Sequence, residues 1–139
     1  MTAEPIKART GLSAVWSRLR VEAASAAAEE PILASFLNAT VLRHTSFQDA
    51  LIHRLAATLA DAQLDNLVAR DVVAEAIHGD PAIAECAAAD MTATDERDPA
   101  CKSLLQPFLY FKGWAALQGH RIAHWLWNEG RETLAFHIQ

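Results

Sequence analysis

The amino-acid sequence predicts an all-α fold, a compact multi-helix domain of about seven helices. Apolar residues recur at steps of three and four through most of the chain, which is the period of amphipathic helices. No segment shows the sustained apolar and polar alternation, bounded by turn dipeptides, that is typical of a half-buried strand. Hydrophobic residues make up 52% of the 139 residues and only five are glycine, which fits one globular domain with a substantial core.

The N-terminus is predicted to be a flexible leader over residues 1–11, followed by the helical domain over residues 12–139. The leader is polar and contains Pro5 and Gly11. From Leu12 onward the apolar residues adopt helical spacing, with charged residues on the opposite side, so the first helix is expected to begin there.

The next two helices carry recognisable start signals. Pro31 can occupy a first helical turn, because the hydrogen bond that proline lacks is not made there. The segment after it is apolar on most of its circumference, so this second helix is expected to be buried. Ser46 and Asp49 then form the S-x-x-D arrangement that caps backbone N–H groups, which predicts the start of a third helix.

A glycine and an Asp-Pro pair mark the boundary between the fourth and fifth helices. Gly79 is placed to end the fourth helix in the left-handed conformation, and Asp80 and Pro81 to cap and begin the fifth. The fifth helix is rich in alanine, the best helix former. A conspicuously polar connection follows at residues 94–103, where charge concentrates around a second Asp-Pro pair.

The C-terminal part is predicted to be helical over residues 104–130 and again after Gly130. The last helix has an apolar face, yet the sequence reaches Gln139 without a capping residue, a glycine or a basic last turn. We therefore expect this helix to be cut rather than finished.

Charge and hydropathy argue against several classes of partner. The formal net charge is −5, so no broad basic field is available to bind nucleic acid. No uncharged run approaches the about 20 residues of a membrane span, and no membrane partner is expected. Cys86 and Cys101 lack the CxxC spacing of a zinc or redox site, which favours free thiols and a cytoplasmic location.

His120 and His124 lie four residues apart, a spacing that two ligands of one metal ion could use. Two imidazoles are only half of a tetrahedral site, however, and the glutamate of an HExxH motif is absent. We therefore predict no metal site and expect both histidines to be packed side chains. They fall beside an apolar arc of the helix, made of Ala115, Gly119, Ile122, Ala123, Leu126 and Trp127. Trp114 and Trp125 fall on its other side.

Longer stretches of the sequence resemble one enzyme family. The segment "RDPA" at 97–100, followed by "LLQPFLYFKGWAALQGHRIAHWLWNEGR" at 104–131, resembles the N-terminal helical domain of bacterial and plant serine O-acetyltransferases. The segment "EPILASFLNATVLRHTSFQDAL" at 30–51 is similar to an upstream stretch of the same proteins. The order and spacing agree over roughly residues 12–139. The family's chains continue into a left-handed parallel β-helix, and this sequence is expected to be truncated before it.

The resemblance implies an acetyl transfer in the first step of cysteine biosynthesis. The family moves the acetyl group of its co-substrate acetyl-CoA to the hydroxyl of L-serine, with a histidine as general base and an aspartate that orients it. These catalytic residues and the acetyl-CoA site lie on the β-helix, so the resemblance assigns no catalytic and no cofactor-binding residue to this chain. The isolated chain is therefore expected to be inactive. His124 matches a histidine of the family's helical R-I/V-x-H motif, a structural position.

The resemblance implies one substrate-binding residue in the polar connection at residues 94–103. In the family the aspartate of R-D-P contributes to the pocket for substrate serine or inhibitory cysteine, which corresponds to Asp98, with Pro99 beside it. A carboxylate suits the ammonium group of an amino acid. The alternative is that Asp98 caps a helix that begins after Pro99. Arg97 could balance the charge of Asp95, Glu96 and Asp98, although a solvated turn explains this run of charges as well.

The resemblance also implies partners. Helical domains of the family join two β-helix trimers into a hexamer, so self-association is expected. The family's sulfhydrylase partner, O-acetylserine sulfhydrylase, docks on a C-terminal tail that this sequence lacks. A non-catalytic assembly domain is therefore the alternative function, and a histidine-based metal-binding module is the remote one.

Overall fold

The structure, a computed structural model, describes the backbone of residues 3–139 and the side chains of residues 11–139. Within residues 3–139 it contains eight α-helices and no strand, which confirms the predicted all-α fold. The helices are α1 (Ala3–Glu29), α2 (Ala34–Leu37), α3 (Phe47–Leu59), α4 (Asn66–Gly79), α5 (Ala82–Arg97), α6 (Leu105–Tyr110), α7 (Lys112–Asn128) and α8 (Glu132–Ile138). None of the helices in this range is long and apolar enough to cross a membrane.

The first helix begins at Ala3, earlier than the start at Leu12 that the sequence suggested. Pro5 falls in the first turn, where a proline breaks no intrahelical hydrogen bond. Residues 1 and 2 of the predicted leader lie outside the described residues. The division of the chain at residue 11 into a leader and a domain stays a prediction.

The predicted second helix is divided into three short pieces. A 3₁₀ turn at Pro31–Leu33 leads into α2, and a π-helical turn at Asn38–Leu42 follows. These pieces pack along α1 and bury only one side, including Thr40 and Val41. The expectation of burial on most sides is wrong, because the side away from α1 faces solvent and leaves Ile32 87% exposed.

The third helix begins as the capping signal predicts. The Ser46 hydroxyl accepts a hydrogen bond from the backbone N–H of Asp49 at 3.1 Å. Helix α3 then buries one face against α1, α4, α5 and α7. The largest fully buried side chains of the core include Phe47, Phe108, Leu19, Leu51, Met91 and Leu126.

A left-handed helix end occurs at Gly130 and not at Gly79, where the sequence suggested one. Gly130 has the positive φ of +79° and ends α7, while Gly79 has no positive φ, so the predicted left-handed end of the fourth helix is wrong. Gly79 is instead required by packing, because a Cβ atom there would lie 2.5 Å from Cζ2 of Trp125. After α7, the N–H of Gly130 donates to the carbonyl of Trp127 and that of Arg131 to Leu126, which is a Schellman motif.

A backbone break at Phe111 separates α6 from α7 and helps to raise the helix number above seven. The backbone of Phe111 is extended, with φ −86° and ψ 104°. Two partly buried carbonyls near the end of α6 are satisfied from another helix. The guanidinium of Arg54 donates to the carbonyl oxygens of Phe108, at 3.2 Å, and of Leu109, at 2.5 Å. Helix α3 thereby fixes the point at which α7 begins.

Candidate functional site

The predicted substrate-binding residue Asp98 lies in a tight turn at the end of α5. Its side-chain Oδ1 accepts a hydrogen bond from the N–H of Ala100 at 2.9 Å, and its carbonyl accepts one from the N–H of Cys101 at 2.9 Å. This is an Asx turn combined with a β-turn, and Pro99 occupies the second position, where its fixed φ is favoured. The turn therefore holds the carboxylate in one place at an exposed edge of the domain.

The alternative prediction, that Asp98 caps a helix beginning after Pro99, is wrong. No helix begins after Pro99, since the next helix, α6, starts at Leu105. One oxygen of the Asp98 carboxylate accepts the N–H of Ala100 and so closes the turn within adjacent residues. Among residues 11–139 no hydrogen-bond donor reaches its second oxygen, Oδ2, which leaves that oxygen able to accept from a ligand.

The two sides of this turn are anchored by α1. The guanidinium of Arg18 donates to both carboxylate oxygens of Asp95, at 2.9 and 3.2 Å, and to Glu22 at 2.9 Å. Glu22 in turn accepts the backbone N–H of Leu105 at 3.0 Å with its other oxygen. Asp95 lies in the last turn of α5 and Leu105 begins α6, so both ends of the connection that contains Asp98 are tied to the same helix.

The charge balance of this connection differs from the sequence-based prediction. Arg97 is exposed and makes no ion pair with the described residues, so of the two interpretations the solvated turn fits and the balancing role does not. Arg18 takes that role, and its hydrogen bond to Asp95 is the main cause that raises the pKa of the guanidinium. Sequence reasoning missed Arg18 because 77 positions separate it from Asp95, and no local pattern indicates such a pair.

The rest of the connection is closed by its own side chains. Cys101 is buried, and its thiol donates to the carbonyl of Ser103 at 3.2 Å. The Ser103 hydroxyl accepts from the N–H of Gln106, and the Gln106 side chain accepts from the N–H of Lys102. Backbone groups that no helix satisfies are thereby paired.

The two histidines of α7 are exposed, so the prediction that both are packed is wrong. They lie just outside the face that α7 buries, with ring centroids 6.5 Å apart. The His124 ring nitrogen Nε2 lies 3.1 Å from the side-chain nitrogen of Asn128. Among the described side chains, no group of three or more His, Cys, Asp or Glu residues is placed to hold a metal ion.

The buried face of α7 is rotated relative to the predicted apolar arc. Trp127 belonged to the predicted arc but is 45% exposed, whereas Trp114 and Gln118, on the other side, are buried. The reason is a polar contact with α5. Asp90 accepts hydrogen bonds from Gln118 and from Arg121, and these bonds allow a polar side of α7 to face the core.

Comparison with known proteins shows which family this fold is similar to. The family model described as "Serine acetyltransferase, N-terminal" matches residues 15–119. The serine acetyltransferase of Escherichia coli K12 is 44% identical over 128 residues, which cover 92% of this chain and 47% of the relative. The solved Neisseria gonorrhoeae serine acetyltransferase in complex with serine has a TM-score of 0.86 at 45% identity, covering 90% of this chain and 52% of that one. A serine acetyltransferase in complex with cysteine has a TM-score of 0.87 at 42% identity, with the same shares covered.

The all-α fold and the family model together identify the helical N-terminal domain of an acyltransferase. The match covers most of the chain, including Asp98 and the start of α7. The chain belongs to the serine acetyltransferase family, and it spans about half the length of the curated relatives it matches. The family resemblance suggested by the sequence motifs is thereby confirmed.

Proposed function

We propose that this chain serves serine O-acetylation as the N-terminal domain of the enzyme, and that Asp98 and Pro99 contribute to its amino-acid pocket. The observation that carries the proposal is the Asp98 carboxylate itself. One of its oxygens is fixed by the Ala100 N–H, while the other accepts no hydrogen bond from residues 11–139, and the residue as a whole is exposed. The family relationship supplies the reaction, in which the hydroxyl of L-serine accepts the acetyl group of acetyl-CoA.

The chemistry of the Asp98 turn supports the binding of an amino acid. A ligand ammonium group can donate to Oδ2 in a charge-assisted hydrogen bond, which is stronger and more directional than a bond between neutral groups. The Asx turn and Pro99 limit the motion of the carboxylate before the ligand arrives, so little ordering entropy is lost on binding. The same carboxylate would hold substrate serine and the inhibitor cysteine, since both carry this ammonium group.

Steady-state kinetics of the active enzyme with Asp98→Asn tests the proposal. The substitution keeps the size of the side chain and removes its charge, so we expect a KM for serine that is raised about tenfold or more and weaker inhibition by cysteine. The KM for acetyl-CoA should stay unchanged. Asp65→Asn is the matched control, because Asp65 is exposed and its side chain makes no capping hydrogen bond. Unchanged serine kinetics in Asp98→Asn would remove the binding role.

The proposal assigns no proton transfer to this chain. All six histidines fall within the described side chains, and none of their ring nitrogens hydrogen-bonds to a carboxylate of residues 11–139, as an oriented general base would. We therefore expect the 139-residue chain alone to release no thiol from acetyl-CoA in the presence of serine. Substantial turnover by this chain would contradict the assignment of catalysis to other parts of the enzyme.

Self-association is the second proposed role, as an assembly domain of a dimer of trimers. Two features support it: an apolar groove between α1 and α5, with a volume of about 520 Å³, and the exposed ring pair of Trp127 and Phe136, whose centroids are 5.5 Å apart. Light scattering of the chain over a range of concentrations tests this role. A strict monomer at high concentration would show that the domain does not self-associate without the rest of the enzyme.

The remaining proposals concern location and the partner enzyme. A cytoplasmic location is consistent with Cys86 and Cys101, which are both free thiols. Docking of O-acetylserine sulfhydrylase would use a C-terminal tail outside this sequence, and acetyl-CoA would bind to the catalytic part of the enzyme.

A further inference from the structure

A chain of hydrogen bonds connects both ends of the Asp98 connection to one face of α1. We propose that Arg18 and Glu22 are positioning residues that hold the Asp98 carboxylate in the orientation needed for amino-acid binding. This inference rests on the proposed role of Asp98 and adds to it two residues from a distant part of the sequence.

The hydrogen bonds follow one another from Asp95 through Arg18 and Glu22 to Leu105. Asp95 receives both terminal nitrogens of Arg18, and the Nε of Arg18 donates to Oε2 of Glu22. The other oxygen of Glu22, Oε1, accepts the N–H of Leu105. One continuous path therefore runs from the last turn of α5, through α1, to the first residue of α6. The Asp98 turn lies between the two attachment points.

Each contact supplies an interaction that residues near it in the sequence do not provide. The first N–H groups of a helix have no partner within that helix, and Glu22 supplies one for Leu105 from a distance of 83 positions in the chain. The bidentate contact between Arg18 and Asp95 fixes the relative orientation of two helices, since a planar guanidinium matches a carboxylate in only a few arrangements. Without these contacts the connection would be held mainly by bonds within itself.

Burial indicates that the path acts on orientation more than on global stability. The Arg18 side chain is 45% exposed, and an ion pair at such a position contributes little to the free energy of unfolding. The Asp95 and Glu22 side chains are only 19% and 20% exposed. The carboxylates of Asp95 and Glu22 are partly shielded from solvent and share the cation of Arg18. This arrangement suits the connection between α5 and α6, because that connection has few helical hydrogen bonds of its own.

Amide hydrogen exchange of the 139-residue chain separates the positioning role from a general stabilising one. In Arg18→Met we expect exchange of the Cys101 and Leu105 amides to become about tenfold faster, because the bonds from Arg18 to Asp95 and to Glu22 are lost together. The amide of Ile122 in the core should not change. Arg20→Met is the matched control, because Arg20 is exposed on the same helix and lies over the ring of Trp16, 5.6 Å from its centroid.

Reversal of the charges tests whether the ion pair itself, and not the loss of side-chain volume, controls exchange at these amides. Arg18→Glu alone should accelerate exchange, and Arg18→Glu combined with Asp95→Arg should restore it, since the new arginine would face both Glu22 and the new carboxylate. Exchange at Cys101 and Leu105 that is unchanged in Arg18→Met would overturn the proposal, whatever Asp98 does.

The active enzyme then tests the link to substrate binding. Arg18→Met should raise the KM for serine severalfold with little change in kcat, in the same direction as Asp98→Asn but to a smaller extent. If Asp98→Asn raises this KM while Arg18→Met does not, the positioning role is wrong and the proposed function stands. If neither variant changes it, the proposed role of Asp98 fails as well.

Discussion

The contact between Gly79 and Trp125 gives the sharpest stability prediction. Gly79 is the last residue of α4, and the indole of Trp125 on α7 lies directly over it. A Cβ atom at Gly79 would lie 2.5 Å from Cζ2 and 3.0 Å from Cε2 of that ring. Neither approach is possible without movement, so Gly79→Ala must displace the indole or separate the two helices.

The size of the effect follows from two opposed contributions. Overpacking of a close contact costs about 1–3 kcal/mol. Replacement of glycine by alanine within a helix contributes up to about 1 kcal/mol in the opposite direction, and less at a helix end such as this one. We therefore expect Gly79→Ala to lose about 1–2 kcal/mol of unfolding free energy, which lowers Tm by about 3–7 °C in a domain of this size.

Thermal and urea unfolding measure this loss, with Gly113→Ala as the matched control. A Cβ at Gly113, in the first turn of α7, would lie within 4 Å of no atom from another part of the described chain, so that variant should be as stable as the original chain or slightly more stable. Trp125→Phe removes the ring atoms that a methyl group would strike, and combined with Gly79→Ala it should cost less than the sum of both changes. The reasoning is refuted if Gly79→Ala unfolds at or above the temperature of the original chain.

Two further predictions concern pH and the core. Burial is the main cause that lowers the pKa of His44 and of His53, whose rings lie 5.2 Å apart, and the cation Arg43 acts in the same direction. The pKa of an unfolded histidine is about 6.5, so the free energy of unfolding should be highest above that pH. It should fall as the pH drops from about 6.5 towards the lowered pKa of the folded state, because the unfolded chain then binds more protons. Urea midpoints measured at several pH values report this dependence, which His53→Gln should reduce. Trp114→Phe removes the buried bond from Nε1 to the carbonyl of Ala87 and should lower the unfolding free energy by about 1–2 kcal/mol, whereas the exposed Trp127→Phe should have little effect.

Local signals predicted the features that depend on neighbouring residues. The Ser46 cap formed as expected, because a serine oxygen and the N–H of Asp49 lie within a single turn of chain. Pro31 likewise begins a helical turn. The all-α fold follows from the same kind of information, since helical periodicity is present in each segment and needs no knowledge of the partner helix.

Features that depend on distant contacts could not be predicted from local patterns. Gly79 has the sequence position of a helix-ending glycine, but its role is set by Trp125, which lies on another helix. The buried face of α7 includes Gln118 because Asp90 offers it a hydrogen bond, and hydropathy alone places a glutamine outside. The histidines of α7 faced solvent for the same reason, since rotation of the helix toward Trp114 turned them outward.

The candidate site shows the same division. The family motif predicted a binding role for Asp98, and the Asx turn that orients its carboxylate is encoded by adjacent residues. The anchors Arg18 and Glu22 lie on α1, far from the motif, and only the packing of α1 against α5 and α6 brings them to the turn.

The central claim is that the Asp98 carboxylate receives the ammonium group of the amino acid. It is tested most directly by inhibition of the active enzyme with cysteine and with 3-mercaptopropionate, which lacks only that ammonium group. The original enzyme should bind cysteine much more tightly, and Asp98→Asn should reduce this preference by about tenfold or more, because the charge-assisted bond is lost. A preference for cysteine that is the same in Asp98→Asn as in the original enzyme would contradict the claim.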